Sequence, residues 1–328
     1  MAKKPFPILF IAPSRIGDAV LASGLIEALK AEVPDARFTI VGSALSAPLF
    51  ARTPGLETLI VLEKKPFSLH WLELWRKVSG RHWGLVVDLR GSGLSGRLRR
   101  SRRAVYSKSA ETGEHKVVEA ARLLRLEADP PSPFLHTDAE IEARAAALTA
   151  GAGPILAVAP SANWIGKTWP IERFASVARR LLGPGGALAG GTLMVLGGPN
   201  DRAAAAPLKA SAPGGRLIDL VGTEDILVAF AALKRARLFI GNDSGLMHLA
   251  AAAGAPTLGL FGPSDETRYA PWGPHGRTVR GSRPFEHFVE VDPKLNQAIG
   301  HMIDLPAARV LAAADALIAQ TASETVHA

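Results

Sequence analysis

The sequence contains no cysteine in 328 residues. Disulfides and thiolate metal sites are therefore excluded, and a reducing compartment is expected. No signal peptide is recognisable, because the first apolar run ends at Arg15 and Asp18 and no small-residue cleavage site follows. No run approaches the roughly 20 uninterrupted apolar residues of a membrane span. These absences predict a soluble, cytoplasmic protein.

Aromatic residues are also scarce, at 6% of the chain, whereas the formal net charge is +8. Most of this charge excess lies in RLRRSRRAVYSK, residues 97–108, where Tyr106 is the only aromatic residue. Single-stranded nucleic acids favour aromatic stacking platforms, so this composition disfavours them as partners. The basic run could attract anionic lipid or a phosphorylated glycan, or could simply be a solvated face.

Short apolar runs alternate with amphipathic segments along the whole chain, which predicts parallel β-sheets covered by helices. Nine strands are predicted, at 8–12, 38–42, 58–62, 84–89, 154–160, 191–198, 215–220, 236–242 and 256–262. The segment 127–140 contains three prolines and interrupts the pattern, which then restarts. We therefore expect an α/β protein with two parallel-sheet domains, 1–135 and 136–305, and a terminal helix over 306–328.

Ligands of open parallel sheets bind beyond the carboxyl ends of the strands, so the loops at those ends are the candidate sites. The first loop, APSRIGDAV, lacks the G-x-G-x-x-G fingerprint of dinucleotide-binding proteins. Its Asp18 could take a proton from a hydroxyl group. Alternatively, Asp18 could serve only to stabilise the first turn of a helix.

Two loops of the second half carry further candidates. Lys167, in SANWIGKTWP, lies in a strand-end loop and could contact a phosphate as a point charge. Asp201 follows the glycines of GGPND and could accept hydrogen bonds from ribose hydroxyls, or could cap the next helix.

The segment GNDSGLMHLAAAAGAPTLGLFG, residues 241–262, ends one strand, begins a helix and enters the next strand. Asp243 or Ser244 is expected to cap this helix, and Gly245 leaves its first turn open. The free N–H groups there would suit a phosphate. His248 shares a face with Ser244 and could contact the same ligand or could pack in the core.

Five segments in this order, RIGDAV, DLRGS, GKTWP, GGP and GNDSGLMHLAAAAGAPTLGLFGPSD, resemble glycosyltransferase family 9, the lipopolysaccharide heptosyltransferases. The resemblance implies a GT-B architecture, in which two Rossmann-like domains face each other across a cleft and the terminal helix crosses back to the first. It also implies an ADP-heptose donor in the second domain and a lipid acceptor bearing Kdo and heptose on the first.

The resemblance implies roles for individual residues. Asp18 matches the catalytic base, Lys167 the lysine of the donor phosphates, and Asp243, Ser244, Gly245 and His248 the donor-binding motif. Further donor contacts are implied at Ser161, Asn163, Asp201 and Glu224. Glu224 and Asp225 stand where the family often has Thr-Ser, and Arg15 and Ile16 where many members have small residues or methionine. Arg15, Arg90 and Arg97 are candidates for holding the anionic acceptor.

The reaction implied is an inverting transfer without a metal or other cofactor, on a protein that touches the anionic inner membrane transiently and binds no nucleic acid. Two alternatives stay open. One is a GT-B enzyme with a different nucleotide sugar or acceptor, and the other is a non-catalytic protein that binds anionic lipid or nucleic acid through the basic run.

Overall fold

The computed structural model describes residues 5–108 and 111–326, with side chains up to Glu324. The chain forms two compact units that divide between Asp138 and Ala139. This division falls at the end of the proline-rich segment, close to the expected boundary at 135. The termini of the expected domains, residues 1–4 and 327–328, lie outside the described residues.

The first unit contains a parallel five-stranded sheet with the strand order β3-β2-β1-β4-β5. Its strands are β1 (Phe6–Ile11), β2 (Ala36–Gly42), β3 (Leu56–Val61), β4 (Trp83–Asp88) and β5 (Arg100–Val105). Its helices are α1 (Ile16–Leu21), α2 (Gly24–Glu32), α3 (Leu69–Val78) and α4 (Lys116–Arg122).

Both faces of this sheet are buried, as expected for parallel strands joined by helices. Leu9 and Ile11 of β1 lie in one apolar cluster with Leu74 and Val78 of α3. The alternating residue Phe10 is also inaccessible to solvent and packs edge-on against Phe50, with ring centroids 6.1 Å apart. Since successive strand residues point to opposite faces, the sheet is covered on both sides.

The second unit contains a parallel six-stranded sheet with the order β11-β10-β9-β6-β7-β8. Its strands are β6 (Ile155–Ala159), β7 (Thr192–Gly197), β8 (Leu217–Val221), β9 (Ala236–Asn242), β10 (Thr257–Phe261) and β11 (Gly276–Arg280). Its helices are α5 (Ala139–Thr149), α6 (Ile171–Leu182), α7 (Arg202–Lys209), α8 (Ile226–Leu233), α9 (Gly245–Ala252), α10 (Glu266–Tyr269), α11 (Phe285–Val291) and α12 (Ala307–Val326).

The terminal helix α12 begins at Ala307, one residue after the Pro306 that the sequence places in its first turn, and belongs to the second unit. Its residues Val310, Ala314 and Leu317 are buried in the same core as Trp169 and Phe174. Its expected return to the first domain stays a prediction. Among the described residues, no helix combines the length and apolar character that a bilayer-spanning segment requires.

The described chain contains two strands that the sequence pattern did not predict, β5 and β11. Both are edge strands, and β5 is formed by the central part of the basic run. Arg102 and Arg103 are exposed, whereas Ala104 is buried. Edge strands often carry charged residues that prevent pairing with other chains, so they lack the apolar run by which buried strands are recognised.

Candidate functional site

In the sheet of the second unit, the strand order changes direction between the neighbouring strands β6 and β9. This position is the topological switch point of the sheet. The loops that leave such neighbouring strands diverge and open a crevice at the carboxyl edge of the sheet. The loop after β6 contains Ser161, Asn163 and Lys167, and the loop after β9 contains Asp243 and Ser244. The fold therefore brings together candidates that lie about eighty residues apart in the chain.

Lys167 and Asp243 form an ion pair across this switch point, with Nζ and Oδ2 2.5 Å apart. The Asp243 side chain is 5% exposed and that of Lys167 is 25% exposed. The ammonium group is therefore held by a nearly buried carboxylate, while a quarter of the Lys167 side chain stays open to solvent. Such a fixed and accessible cation can meet an incoming phosphate without reorganisation.

His248 is buried beside the Asp243 carboxylate of this ion pair. Its Nε2 is 3.8 Å from Oδ1 of Asp243, and its side chain is only 4% exposed. Both interpretations of the sequence have support in this position, since His248 is buried in the core and also lies beside a candidate donor-binding carboxylate.

The start of α9 differs from the expected cap. Ser244 occupies the N-cap position, but neither its side chain nor that of Asp243 caps the helix, because Asp243 turns toward Lys167. The buried Oγ of Ser244 has no hydrogen-bond partner among the described residues. The first N–H groups of a helix have no intrahelical acceptor, so Gly245 and Leu246 add donors and a positive dipole end to the site.

The first unit has a switch point between β1 and β4, where the strand order also reverses. Arg15 is the N-cap of α1, and Asp18 lies in the first turn of that helix, after β1. Arg90 follows β4, and its Nε donates a hydrogen bond of 2.7 Å to the carbonyl oxygen of Ala12. The candidate base and two candidate acceptor contacts therefore lie at one edge of one sheet.

The described residues contain no group of three or more His, Cys, Asp or Glu side chains placed to hold a metal ion. At the second-unit switch point, Lys167 and the start of α9 contribute positive charge. These groups can bind an anion such as a diphosphate.

Comparison with known proteins identifies the family. A family model described as glycosyltransferase family 9 (heptosyltransferase) matches residues 74–297. The chain belongs to glycosyltransferase family 9. It is therefore a glycosyltransferase, and the alternative of a non-catalytic binding protein is wrong.

The alignments of this family 9 glycosyltransferase with its relatives cover most of its length. Lipopolysaccharide heptosyltransferase 2 of Salmonella typhimurium is 24% identical over 309 residues, which cover 83% of this chain and 87% of the relative. The structure of an ADP-heptose lipopolysaccharide heptosyltransferase II of Escherichia coli superimposes with a TM-score of 0.74 and 22% identity, over 96% of this chain and 99% of that one. The Escherichia coli heptosyltransferase WaaC, solved with ADP, gives 0.72 and 16%, over 95% and 100%.

These comparisons confirm the predicted fold class, in which a GT-B glycosyltransferase has two parallel-sheet α/β domains. The homologues also make lipopolysaccharide heptose transfer the activity of the family to which this enzyme belongs.

The remaining candidate donor-binding residues of the family 9 enzyme differ in their burial and in their hydrogen-bond or ion-pair partners. Ser161 is half-buried and Asn163 is exposed in the loop after β6. Asp201 accepts a 2.7 Å hydrogen bond from the N–H of Gly198, which caps the 3-10 turn Pro199–Asp201 that leads into α7, and it makes no capping bond to α7 itself. Glu224 forms an ion pair with Arg144 of α5. Its neighbour Asp225 caps α8 through the N–H of Leu227, at 2.8 Å.

The acceptor candidates also differ from one another. Arg15 and Arg97 are exposed, and Arg97 Nη1 lies 3.5 Å from the carbonyl oxygen of Gly93. Arg90 is half-buried beside Trp71, and burial lowers the pKa of its guanidinium, an effect that the charge of Asp88 opposes. Its buried Nη2 has no hydrogen-bond partner among the described residues. Arg90 therefore retains unused hydrogen-bonding capacity at the switch point.

Two further residues, which the sequence did not single out, hold the loops that carry the candidate site residues. The first is Asp88, the inaccessible last residue of β4. Burial raises the pKa of its carboxyl group, and hydrogen bonds from Ser92 Oγ (2.6 Å) and the Arg90 N–H (3.1 Å) counteract this. Asp88 thus fixes the backbone that carries Arg90. An acidic residue at the end of an apolar strand was the available signal.

The second is Asn242, the last residue of β9, whose side chain is inaccessible to solvent. Its Nδ2 donates to the carbonyl oxygen of Pro160 at 2.6 Å, and its Oδ1 accepts from the N–H of Trp169 at 3.1 Å. Pro160 and Trp169 bound the loop that carries Lys167. The amide of Asn242 therefore clamps both ends of this loop to β9.

We expect Asn242→Leu to lower the free energy of unfolding by about 2–6 kcal/mol, because two buried backbone groups lose their partners at roughly 1–3 kcal/mol each. Urea unfolding measures this change. Asn163→Ala, in the same loop but exposed, is the control and should change stability by less than about 0.5 kcal/mol. An equal effect of the two substitutions would show that Asn242 does not clamp the loop.

Proposed function

We propose that this enzyme transfers heptose from ADP-heptose to a hydroxyl group of the lipopolysaccharide inner core, with inversion at the anomeric carbon and without a metal ion. The observation that carries the proposal is the Lys167–Asp243 pair beside the start of α9 at the switch point of the second unit. In a family 9 glycosyltransferase this is a site for the diphosphate of a nucleotide sugar.

The choice of ADP-heptose as donor draws support from the relatives. One structural neighbour is described as an ADP-heptose heptosyltransferase and another was solved with ADP. In this chain Ser161, Asn163, Asp201 and Glu224 are the proposed contacts around the nucleotide and sugar, with His248 placed behind Asp243.

In the proposed reaction, the carboxylate of Asp18 takes the proton of the acceptor hydroxyl as its oxygen forms a bond to the anomeric carbon. The bond from that carbon to the diphosphate oxygen breaks, and its electron pair leaves with ADP. Attack from the face opposite the leaving group inverts the configuration. Lys167 and the first N–H groups of α9 stabilise the negative charge that develops on the diphosphate.

The acceptor is proposed to be a Kdo- and heptose-bearing lipid, whose carboxylates and phosphates match the cationic candidates Arg15, Arg90 and Arg97. Because the acceptor is a membrane lipid, the proposed place of action is the cytoplasmic face of the inner membrane. The exposed arginines of β5 would add to the attraction of this anionic surface.

Donor and metal dependence can be tested together. Radiolabelled heptose transfer onto truncated lipopolysaccharide acceptors is expected with ADP-heptose, and the rate should be unchanged in excess EDTA. Thermal shift with ADP-, UDP- and GDP-sugars should show stabilisation by the ADP-sugar alone. Stabilisation by a UDP- or GDP-sugar would favour the alternative of a GT-B enzyme with another donor, and loss of the rate in EDTA would contradict metal independence.

A further inference from the structure

A cluster of apolar side chains projects into solvent from the loop before α3 and from the helix itself. Phe67 is 96% exposed, the highest value among the large hydrophobic residues that the structure describes. Leu69, Leu72 and Trp75 of α3 are 48%, 44% and 37% exposed. We refer to these four residues, together with Lys64, Lys65, Arg76 and Lys77, as the α3 surface.

Helical geometry places the apolar members of the α3 surface on one side. Leu69, Leu72 and Trp75 recur every three residues, which keeps them neighbours on a helix. The opposite side of α3 carries the buried residues His70, Leu74 and Val78, of which Leu74 and Val78 pack with strand residues of the sheet. Leu69, Leu72 and Trp75 therefore leave 37–48% of their surface in solvent, outside the core to which Leu74 and Val78 belong.

The backbone supports the protrusion of Phe67. Phe67 and Ser68 have φ angles of +52° and +58°, in the left-handed region that L residues with bulky side chains seldom adopt. Strained backbone persists where the surroundings hold it, and it often marks a functional position. The Phe67 side chain is 96% exposed, so burial within the unit does not offset this strain.

The charges around the row are mainly positive. Residues 63–77 contain Lys64, Lys65, Arg76 and Lys77 against Glu63 and Glu73, and Lys65 pairs with Glu73 at 2.6 Å. The remaining lysines and Arg76 are exposed. An apolar row flanked by cations is complementary to an anionic lipid surface, where the cations meet headgroups and the apolar side chains enter the acyl boundary.

We propose that the α3 surface is an interfacial anchor that inserts Phe67, Leu69 and Leu72 into the headgroup region of an anionic bilayer, with Trp75 at the interface. The loop that carries Phe67 follows the carboxyl end of β3, at the sheet edge where Asp18 and Arg90 also lie. Anchoring there turns that edge toward the bilayer. This membrane site is distinct from the basic run of β5 and does not require the proposed activity.

The first test measures binding to vesicles by flotation, with neither donor nor acceptor present. The wild-type chain should bind mixed phosphatidylethanolamine–phosphatidylglycerol vesicles more tightly than phosphatidylcholine vesicles. Phe67→Asn should weaken this binding about tenfold or more, in line with the loss of one buried aromatic side chain. Asn tolerates the left-handed backbone, so the variant should fold normally, as circular dichroism can show. Phe134→Asn, at a half-exposed phenylalanine of the same unit, is the control and should bind like wild type.

The second test uses the absence of cysteine in this chain. The emission of a polarity-sensitive dye attached to the cysteine of Ser68→Cys should shift to shorter wavelength when anionic vesicles are added. The same dye on Ser101→Cys, in the exposed basic strand β5, should not. Unchanged binding of Phe67→Asn, an equal loss in Phe134→Asn, or a shift at Ser101 alone would overturn the proposal. So would a dimer in sedimentation that Phe67→Asn dissociates, since the surface would then join two copies.

Discussion

Asp18→Asn is expected to lower kcat by roughly 10²–10⁴-fold, the contribution typical of a positioned general base. The amide keeps the size of the side chain but cannot accept the proton of the acceptor hydroxyl. Donor affinity should be unchanged, because the proposed donor contacts lie in the second unit. Steady-state kinetics with both substrates saturating, together with donor titration by calorimetry, measure the two quantities.

The competing interpretation of Asp18 is stabilisation of the first turn of α1, which is worth about 0.3–1 kcal/mol. Glu27 is the matched control, since it is the acidic residue in the first turn of α2. Glu27→Gln should lose a similar small amount of stability, together with the contribution of its contact to His136, and keep its kcat. If Asp18→Asn behaves in the same way as Glu27→Gln, Asp18 is only a helix-stabilising residue.

Lys167→Ala is expected to have two separable effects. The nearly buried carboxylate of Asp243 loses its partner, which should lower the free energy of unfolding by about 3 kcal/mol. The leaving diphosphate also loses a cation, which should lower kcat by roughly 10²–10³-fold. Urea unfolding and transfer assays measure the two changes on the same samples.

The Asp243→Asn variant separates these effects. In the Lys167→Ala/Asp243→Asn double variant the buried charge is gone, so most of the lost stability should return. The kcat of the double variant should still lie about a hundredfold below that of Asp243→Asn alone. Equal kcat values for the double variant and Asp243→Asn would mean that Lys167 serves only to neutralise Asp243.

The central strands were predictable because parallel strands buried on both faces are short apolar runs, as in ILFIA of β1 and ILAVA of β6. The two outer strands β5 and β11 were not predictable in this way. Their residues, RSRRAV and GRTVR, are half solvated, and their strand conformation comes from hydrogen bonding to a neighbour that the local pattern does not show.

The site was predictable as a set of residue types, because carboxylates, a lysine and a Gly-rich helix start stood at the ends of predicted strands. The contacts between these residues were not predictable from the sequence. The sequence predicts Asp243 or Ser244 as the cap of α9, and only the strand order, which sets β9 beside β6, shows that Asp243 pairs with Lys167, 76 residues away. The two hydrogen bonds of the Asn242 side chain were not predictable for the same reason, since their partners lie in another loop.

Local patterns thus determined the α/β class, the two-part organisation and the chemistry available at each strand end. The periodicity of burial and the preferences of helix starts act within a few residues, so they can be recognised in the sequence. The tertiary structure alone decided which strand ends are neighbours, which charges neutralise each other and which apolar side chains, such as Phe67, stay outside the core. These depend on sheet order and long-range packing, which contacts between distant residues establish.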